Sequence, residues 1–213
     1  MELLTTGITF FQKGGIVMYV LLLCSLFVFS IGIERAMYFR RMDSGRAFAR
    51  DFYLALANNK WQKAEQLADH ARGALADILF AVITKKPEAR KNPSAYMEIQ
   101  SGIALAKMRK RLYYLSVIVT MAPLLGLLGT ISGMITSFSV FNLESGQATA
   151  ITGGVGEALI ATAMGLCVAI ISLTVHAYFS QRIENIVTDM EQCFSMVETA
   201  AAECDGMNKE EAA

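Results

Sequence analysis

"APLLGLLGTISGM", residues 122–134, is apolar enough to lie in lipid, yet it carries one proline, three glycines, a threonine and a serine. A helix that only anchors a chain gains nothing from these residues, because glycine and proline both weaken a helix. Helices in lipid associate by close packing rather than by hydrophobic drive, however, and small residues let two backbones approach. On a helix, Ala122, Gly126, Gly129 and Gly133 fall on one stripe at 4-3-4 spacing. Pro123, Thr130 and Ser137 fall on a neighbouring stripe spaced by sevens. The stretch reads as the packing face of a membrane helix, which Pro123 can kink or locally deprive of a hydrogen bond.

The composition agrees with a membrane helix. The chain has 213 residues, 54% hydrophobic and only 18% charged, with a mean hydropathy of +0.41. That is too apolar for an ordinary soluble domain and too charged for a chain wholly in lipid. Three apolar runs account for it. Residues 16–33, "IVMYVLLLCSLFVFSIGI", carry no charge and nearly match a hydrocarbon core of ~30 Å. This run is too long for a signal-peptide core and lacks an A-x-A site. The following "ERAMYFRR" reads as a membrane stop, so the helix is retained. The second span covers 113–141 and the third 153–179, joined by the short loop 142–152 as an antiparallel hairpin.

Charge gives the orientation. Arg35, Arg40, Arg41, Arg46 and Arg50 follow span one, and Lys107, Arg109, Lys110 and Arg111 precede span two. The hairpin loop has no Lys or Arg, and the leader has only Lys13. By the positive-inside rule, residues 34–112 are cytoplasmic, residues 1–15 form a short external N-terminus, and the C-terminus is inside. Tyr113, Tyr114, Tyr178 and Phe179 at the inner edge read as an interfacial aromatic belt.

The cytoplasmic part reads as several short amphipathic helices. "GALADILFAVI" puts Leu75, Ile78, Leu79, Val82 and Ile83 on one face, and "NNKWQKAEQLADHAR" is a helix entered through Asn58 and Asn59. "KKPEARKNP" is a break, after which a helix resumes at Ser94 and runs on into span two. Beyond span three, Ile183, Val187, Met190, Phe194 and Val197 recur at 4-3-4-3 spacing, so a helix continues over 180–204 before a disordered tail at 205–213.

Several functions are disfavoured. The formal net charge is +0, which gives no bulk attraction to nucleic acid. Cys24, Cys167, Cys193 and Cys204 form no C-x-x-C pair, and no Cys/His cluster has metal spacing, so reduced, packed thiols are expected and no cofactor. "GGVGEAL" lacks the lysine and the strand of a phosphate loop. No residues suggest an enzyme. His70 reads as a solvated helix residue.

Span three repeats the design of span two. Ala158, Thr162, Gly165, Ala169, Ser172 and His176 follow 4-3-4-3-4 spacing. With the loop centred near residue 147, Thr130 and Thr162 lie at similar depth, about 15 Å from the outer edge. Two readings stay open: each hydroxyl bonds back to its own helix while the glycines merely pack, or the hydroxyls line a pore or face a partner helix. No Asp, Lys or Arg lies in the middle of a span, so a titrating group for ion conduction has to come from another subunit. Glu157, near the outer end of span three, is either a carboxylate at a helix start or part of an ion entrance. His176 is either interfacial or a step in inward proton release. Ser132, Thr136, Ser137 and Ser139 offer oxygens that could suit sodium, and the choice between proton and sodium stays open.

"APLLGLLGTISGMI" and "GEALIATAMGL", in this order with a short external loop between them, resemble the MotA/TolQ/ExbB proton channel family. The likeness covers essentially the whole chain, the cytoplasmic part in plan rather than in motif. "KGGIVMYVLLLCS" is more similar to the ExbB-type branch than to TolQ, while MotA proteins have four spans. The resemblance implies an all-α inner-membrane protein with three transmembrane helices, long helices extending into the cytoplasm and a small cytoplasmic helical region. It implies a pentamer around a single-span ExbD/TolR-like partner carrying one membrane aspartate, with a TonB-like protein as a further partner. It places pore threonines at Thr130 and Thr162 and a functional glutamate at Glu157, with Pro123, Gly126, Gly129, Gly133, Ala158 and Gly165 serving helix packing. The implied function is a motor subunit that uses proton-motive force for outer-membrane import. A TolQ-like role in envelope maintenance or motility, or a scaffold without conduction, are the alternatives.

Overall fold

A computed structural model describes residues 15–141 and 148–210, with the side chains of 88, 90, 139–141, 148–153, 157 and 204–210 left out. The fold is all-α. Its helices are α1 (Gly15–Met42), α2 (Arg46–Ala57), α3 (Trp61–His70), α4 (Ala74–Ile83), α5 (Pro87–Arg90), α6 (Pro93–Arg109), α7 (Leu112–Phe141) and α8 (Ala148–Glu210). Three helical runs among the described residues, Gly15–Ala57, Pro93–Phe138 and Gly154–Glu203, are long and apolar enough to cross a membrane. The chain divides into two compact units, one formed by residues up to Glu34 with Arg111–Tyr178, the other by Arg35–Lys110 with Phe179–Ala213.

Where α7 and α8 meet most closely in the first unit, small residues face inward, and large ones of α7 face outward. Ala122, Gly126, Gly129, Ala158, Ala161 and Gly165 are buried, while Leu124, Leu127, Leu128, Ile131 and Ile135 of α7 are exposed. A soluble helix shows the reverse; a lipid-facing helix has no reason to hide leucine, so closeness of backbone contact decides which residues go inside. Met18, Leu21, Val28 and Ile31 form the buried stripe of α1. Val17 packs against Gly129 and Val175 against Gly32, so α1 contacts both hairpin helices.

The second unit is built like a small soluble domain. Helix α4 is buried almost all round: Leu75, Ile78, Leu79 and Val82 are covered along with three alanines, and Asp77 is exposed. Asn58 and Asn59 end α2 instead of opening α3. Asn59 adopts φ 55°, its N–H donates to Leu56 O at 2.8 Å, and Lys60 N–H donates to Ala55 O at 2.9 Å. This is the left-handed cap that satisfies a helix's last carbonyls, and asparagine tolerates it better than most residues. Helix α6 opens on Asn92, whose Oδ1 accepts from Ala95 N–H at 3.1 Å, with Pro93 in the first turn. Lys110 and Arg111 separate α6 from α7, although Lys110 keeps helical angles.

The C-terminal stripe is rotated from the one read in the sequence. Phe179, Ile183, Ile186, Met190, Cys193, Val197 and Ala200 are buried, whereas Val187 and Phe194 are only half-buried. This is a continuous 4-3 repeat, and the apolar flank at 187 and 194 blurs its position in the sequence. Phe179 leaves the expected belt to stack on Phe39, with ring centroids 5.2 Å apart. Cys193 Sγ points at Ala49 O, 3.6 Å away, and burial pushes its thiol up to about 12, so it stays protonated. Helix α8 also runs beyond the expected limit at 204, to Glu210, and it begins at Ala148 inside the expected loop.

Two arginines hold this unit together, and one of them, Arg35, belongs to the charged flank after span one. Arg35 is 3% exposed, and its Nη1 donates to Met108 O at 3.1 Å and Lys107 O at 3.3 Å. Its cation thus sits against the carbonyl end of α6, where the helix dipole favours it. Arg182 Nε donates to Asp43 Oδ2 at 3.1 Å, and Asp43 Oδ1 accepts from Gly45 N–H at 2.8 Å in the turn before α2.

Burial raises the Asp189 carboxyl above its ordinary 3.8; Arg46 opposes the shift and Asp43 adds to it. The folded chain therefore holds this proton more tightly than the unfolded chain. The contribution to stability is full below the ordinary value and lost as pH rises through the raised one. Asp189→Asn is expected to raise the melting temperature at about pH 7, by a margin that shrinks toward about pH 4. Thermal melts at the two pH values check this, and a gain independent of pH would contradict it.

Candidate ion-pathway site

The hairpin helices meet backbone to backbone. A Cβ at Gly165 would lie 2.6 Å from Ala122 O and 3.1 Å from Gly126 Cα. One at Gly126 would lie 3.0 Å from Ala161 O and Thr162 Cα, and one at Gly129 2.6 Å from Ala161 Cβ. Farther along, Gly133 faces Ala158 Cβ at 3.3 Å, and Gly154 abuts Ser137. Pro123 is half-buried within α7, and the helix carries through it without ending.

Thr162, half-buried, donates its Oγ1 hydrogen to Gly126 O across the interface at 3.2 Å. The missing Cβ of Gly126 is what gives it that reach. One end of the same seam holds Ser172, fully buried, whose Oγ donates to Leu115 O at 3.1 Å. Thr130 is also half-buried, but it donates to Leu127 O of its own helix at 2.7 Å. The two threonines thus use their protons differently, one between helices and one within a helix. Both keep oxygen lone pairs that can accept.

The pairs Ala122–Gly165, Gly126–Thr162 and Leu115–Ser172 also define the register. They centre the hairpin a few residues before the midpoint taken from the sequence. Thr130 therefore lies about one turn, roughly 6 Å, from the level of Thr162 instead of opposite it. Glu157 lies in α8, its side chain outside the described residues, as is that of Ser139. Thr136 Oγ1 donates to Ser132 O at 3.0 Å and Ser137 Oγ to Gly133 O at 2.8 Å. His176 is half-buried in α8, about four turns from Thr162. The Ser172–Leu115 and Arg35–Met108 bonds were not foreseen. The stripe that contains Ser172 signalled the first, and no pattern in the sequence signals the second.

No Asp, Glu, Lys, Arg or His lies between Gly126 and Thr130 or between Thr162 and Ser172. Residues 66–192, which include α7 and α8 as far as Gln192, match the MotA/TolQ/ExbB proton channel family. The chain belongs to that family. It is 36% identical over 170 residues to the putative biopolymer transport protein ExbB-like 1 of Synechocystis sp., covering 78% of this chain and 67% of that one. A putative ExbB homolog of Methanothermobacter thermautotrophicus is 24% identical over 191 residues, 87% of this chain and 67% of the relative. The Tol-Pal system protein TolQ of Pseudomonas aeruginosa is 32% identical over 107 residues, 45% of each chain. With its three apolar helices, this MotA/TolQ/ExbB family member is a multi-pass membrane protein of a channel family.

Proposed function

We propose that the chain is the channel subunit of a proton-driven motor in the inner membrane, working with an ExbD/TolR-like single-span partner to energise cell-envelope work such as outer-membrane import. Thr162 carries this reading: its hydroxyl hydrogen is committed to Gly126 O, so toward a third helix it presents only an acceptor. An acceptor in lipid suits a protonated carboxyl or a cation, and the seam supplies neither itself. The partner's membrane aspartate would supply it, cycling between protonated and ionised forms as protons pass. Thr130, one turn away with its own proton likewise committed, would offer a second acceptor along the path. Pro123, Gly126, Gly129, Gly133, Ala158 and Gly165 would keep the seam close and smooth, and Glu157 would stand at the outer entrance. The N-terminus would lie outside and the C-terminus in the cytoplasm, with five copies of the chain surrounding the partner.

A second reading also has an observation behind it. Both threonine hydroxyls donate to backbone carbonyls, which is what a scaffold of glued helices needs and no more. Proton flux into proteoliposomes separates the two. Under an imposed pH gradient and membrane potential, flux is expected only when this chain and its single-span partner are present together. A well-assembled complex that passes neither protons nor sodium favours the scaffold.

A further inference from the structure

Between α6 and the C-terminal part of α8 runs a groove of about 310 Å³. Met97 and Met190 form its buried floor, and Leu105, Val187 and Phe194 stand half-buried along it. Three exposed glutamates, Glu98 on α6 and Glu191 and Glu198 on α8, rim it. Glu191 and Glu198 are seven residues apart and so share one side of their helix. No Lys or Arg lines the groove, and none of the ion pairs among the described residues involves these three carboxylates.

An apolar patch rimmed by polar groups marks an interaction surface, and methionine lets such a floor adapt to its guest. The volume lies at the small end of ligand pockets, ~300–1,000 Å³, enough for one or two large side chains. Uncompensated carboxylates over a low-dielectric wall attract cations and repel anionic lipid headgroups. We propose that this groove docks a basic amphipathic segment of a partner polypeptide, which inserts one or two large apolar side chains between α6 and α8 and sets Lys or Arg against Glu98, Glu191 and Glu198. The assignment does not depend on ion conduction.

The test uses the full chain in uncharged maltoside micelles and three fluorescent peptides of about 18 residues, long enough to form a helix. One has Leu and Phe on one face and Lys on the other; the second replaces Lys by Glu; the third scrambles the first so that no face remains. Only the first is expected to bind. The Glu98→Gln, Glu191→Gln, Glu198→Gln triple variant, with unchanged circular dichroism, is expected to weaken it by about tenfold or more, as is added salt. Ser101→Trp, which fills the groove without removing a core residue, is expected to block it. Equal binding of all three peptides, or of the first peptide to wild type and triple variant, would overturn the proposal. So would a Ser101→Cys thiol, in a chain with Cys24, Cys167 and Cys204 changed to Ser, that is shielded from maleimide until the oligomer dissociates. That result would assign the groove to a second copy of this chain.

Discussion

Gly165→Ala is expected to loosen the hairpin by about 1–3 kcal/mol, despite adding the better helix former. The new methyl would lie 2.6 Å from Ala122 O and 3.1 Å from Gly126 Cα, both main-chain atoms. No side-chain rotation relieves that clash, so the helices must separate, and the Thr162–Gly126 bond one turn away lengthens with them. Gly102→Ala is the control. Nothing lies within 4 Å of a Cβ at Gly102, so the same change there should stabilise by up to ~1 kcal/mol. Thermal unfolding of both variants in micelles gives the comparison. Equal melting temperatures would mean that the seam is not in backbone contact at Gly165.

Thr162→Val is expected to abolish partner-dependent proton flux while leaving the complex assembled. Valine matches threonine in shape but supplies neither the hydrogen to Gly126 O nor the acceptor left over. The stability cost is small, about 0.6–1 kcal/mol, because a single interhelical hydrogen bond in lipid contributes little. Flux and stability are therefore separable readouts, and Thr162→Ser, which keeps the hydroxyl, should restore much of the flux. Thr130→Val should lower flux at a smaller structural cost, since its bond lies within its own helix. Full flux in both valine variants would remove the threonines from the pathway, and the hydroxyls would then be glue alone.

Much of this was legible because lipid imposes a local rule. A run such as 16–33 has to span or be buried, and a short uncharged-by-base loop forces two such runs into a hairpin. Small residues at 4-3-4 spacing mark a packing face wherever the helix ends up, so Gly126, Gly129, Gly133, Ala158 and Gly165 could be picked from spacing alone.

Rotation and register were decided only in three dimensions. The small-residue stripe marks which face of α7 packs, but it does not fix the level at which that face meets α8. The placement of Thr162 opposite Gly126, one turn from Thr130, follows from where two backbones can touch. The C-terminal stripe shifted to Phe179, Ile186 and Cys193 because an apolar flank at Val187 and Phe194 fits the same repeat almost as well. Arg35 is the clearest case. Its composition-level role is a positive flank, but its neighbours turn out to be the carbonyls ending α6, more than seventy residues away, and no local pattern encodes a contact at that distance. What the sequence alone determined is the number of spans, their pairing and their packing faces, because these follow from nearest neighbours and the thickness of a bilayer. Which oxygen meets which hydroxyl was left to tertiary packing, because a shift of one turn preserves every local preference and changes every contact.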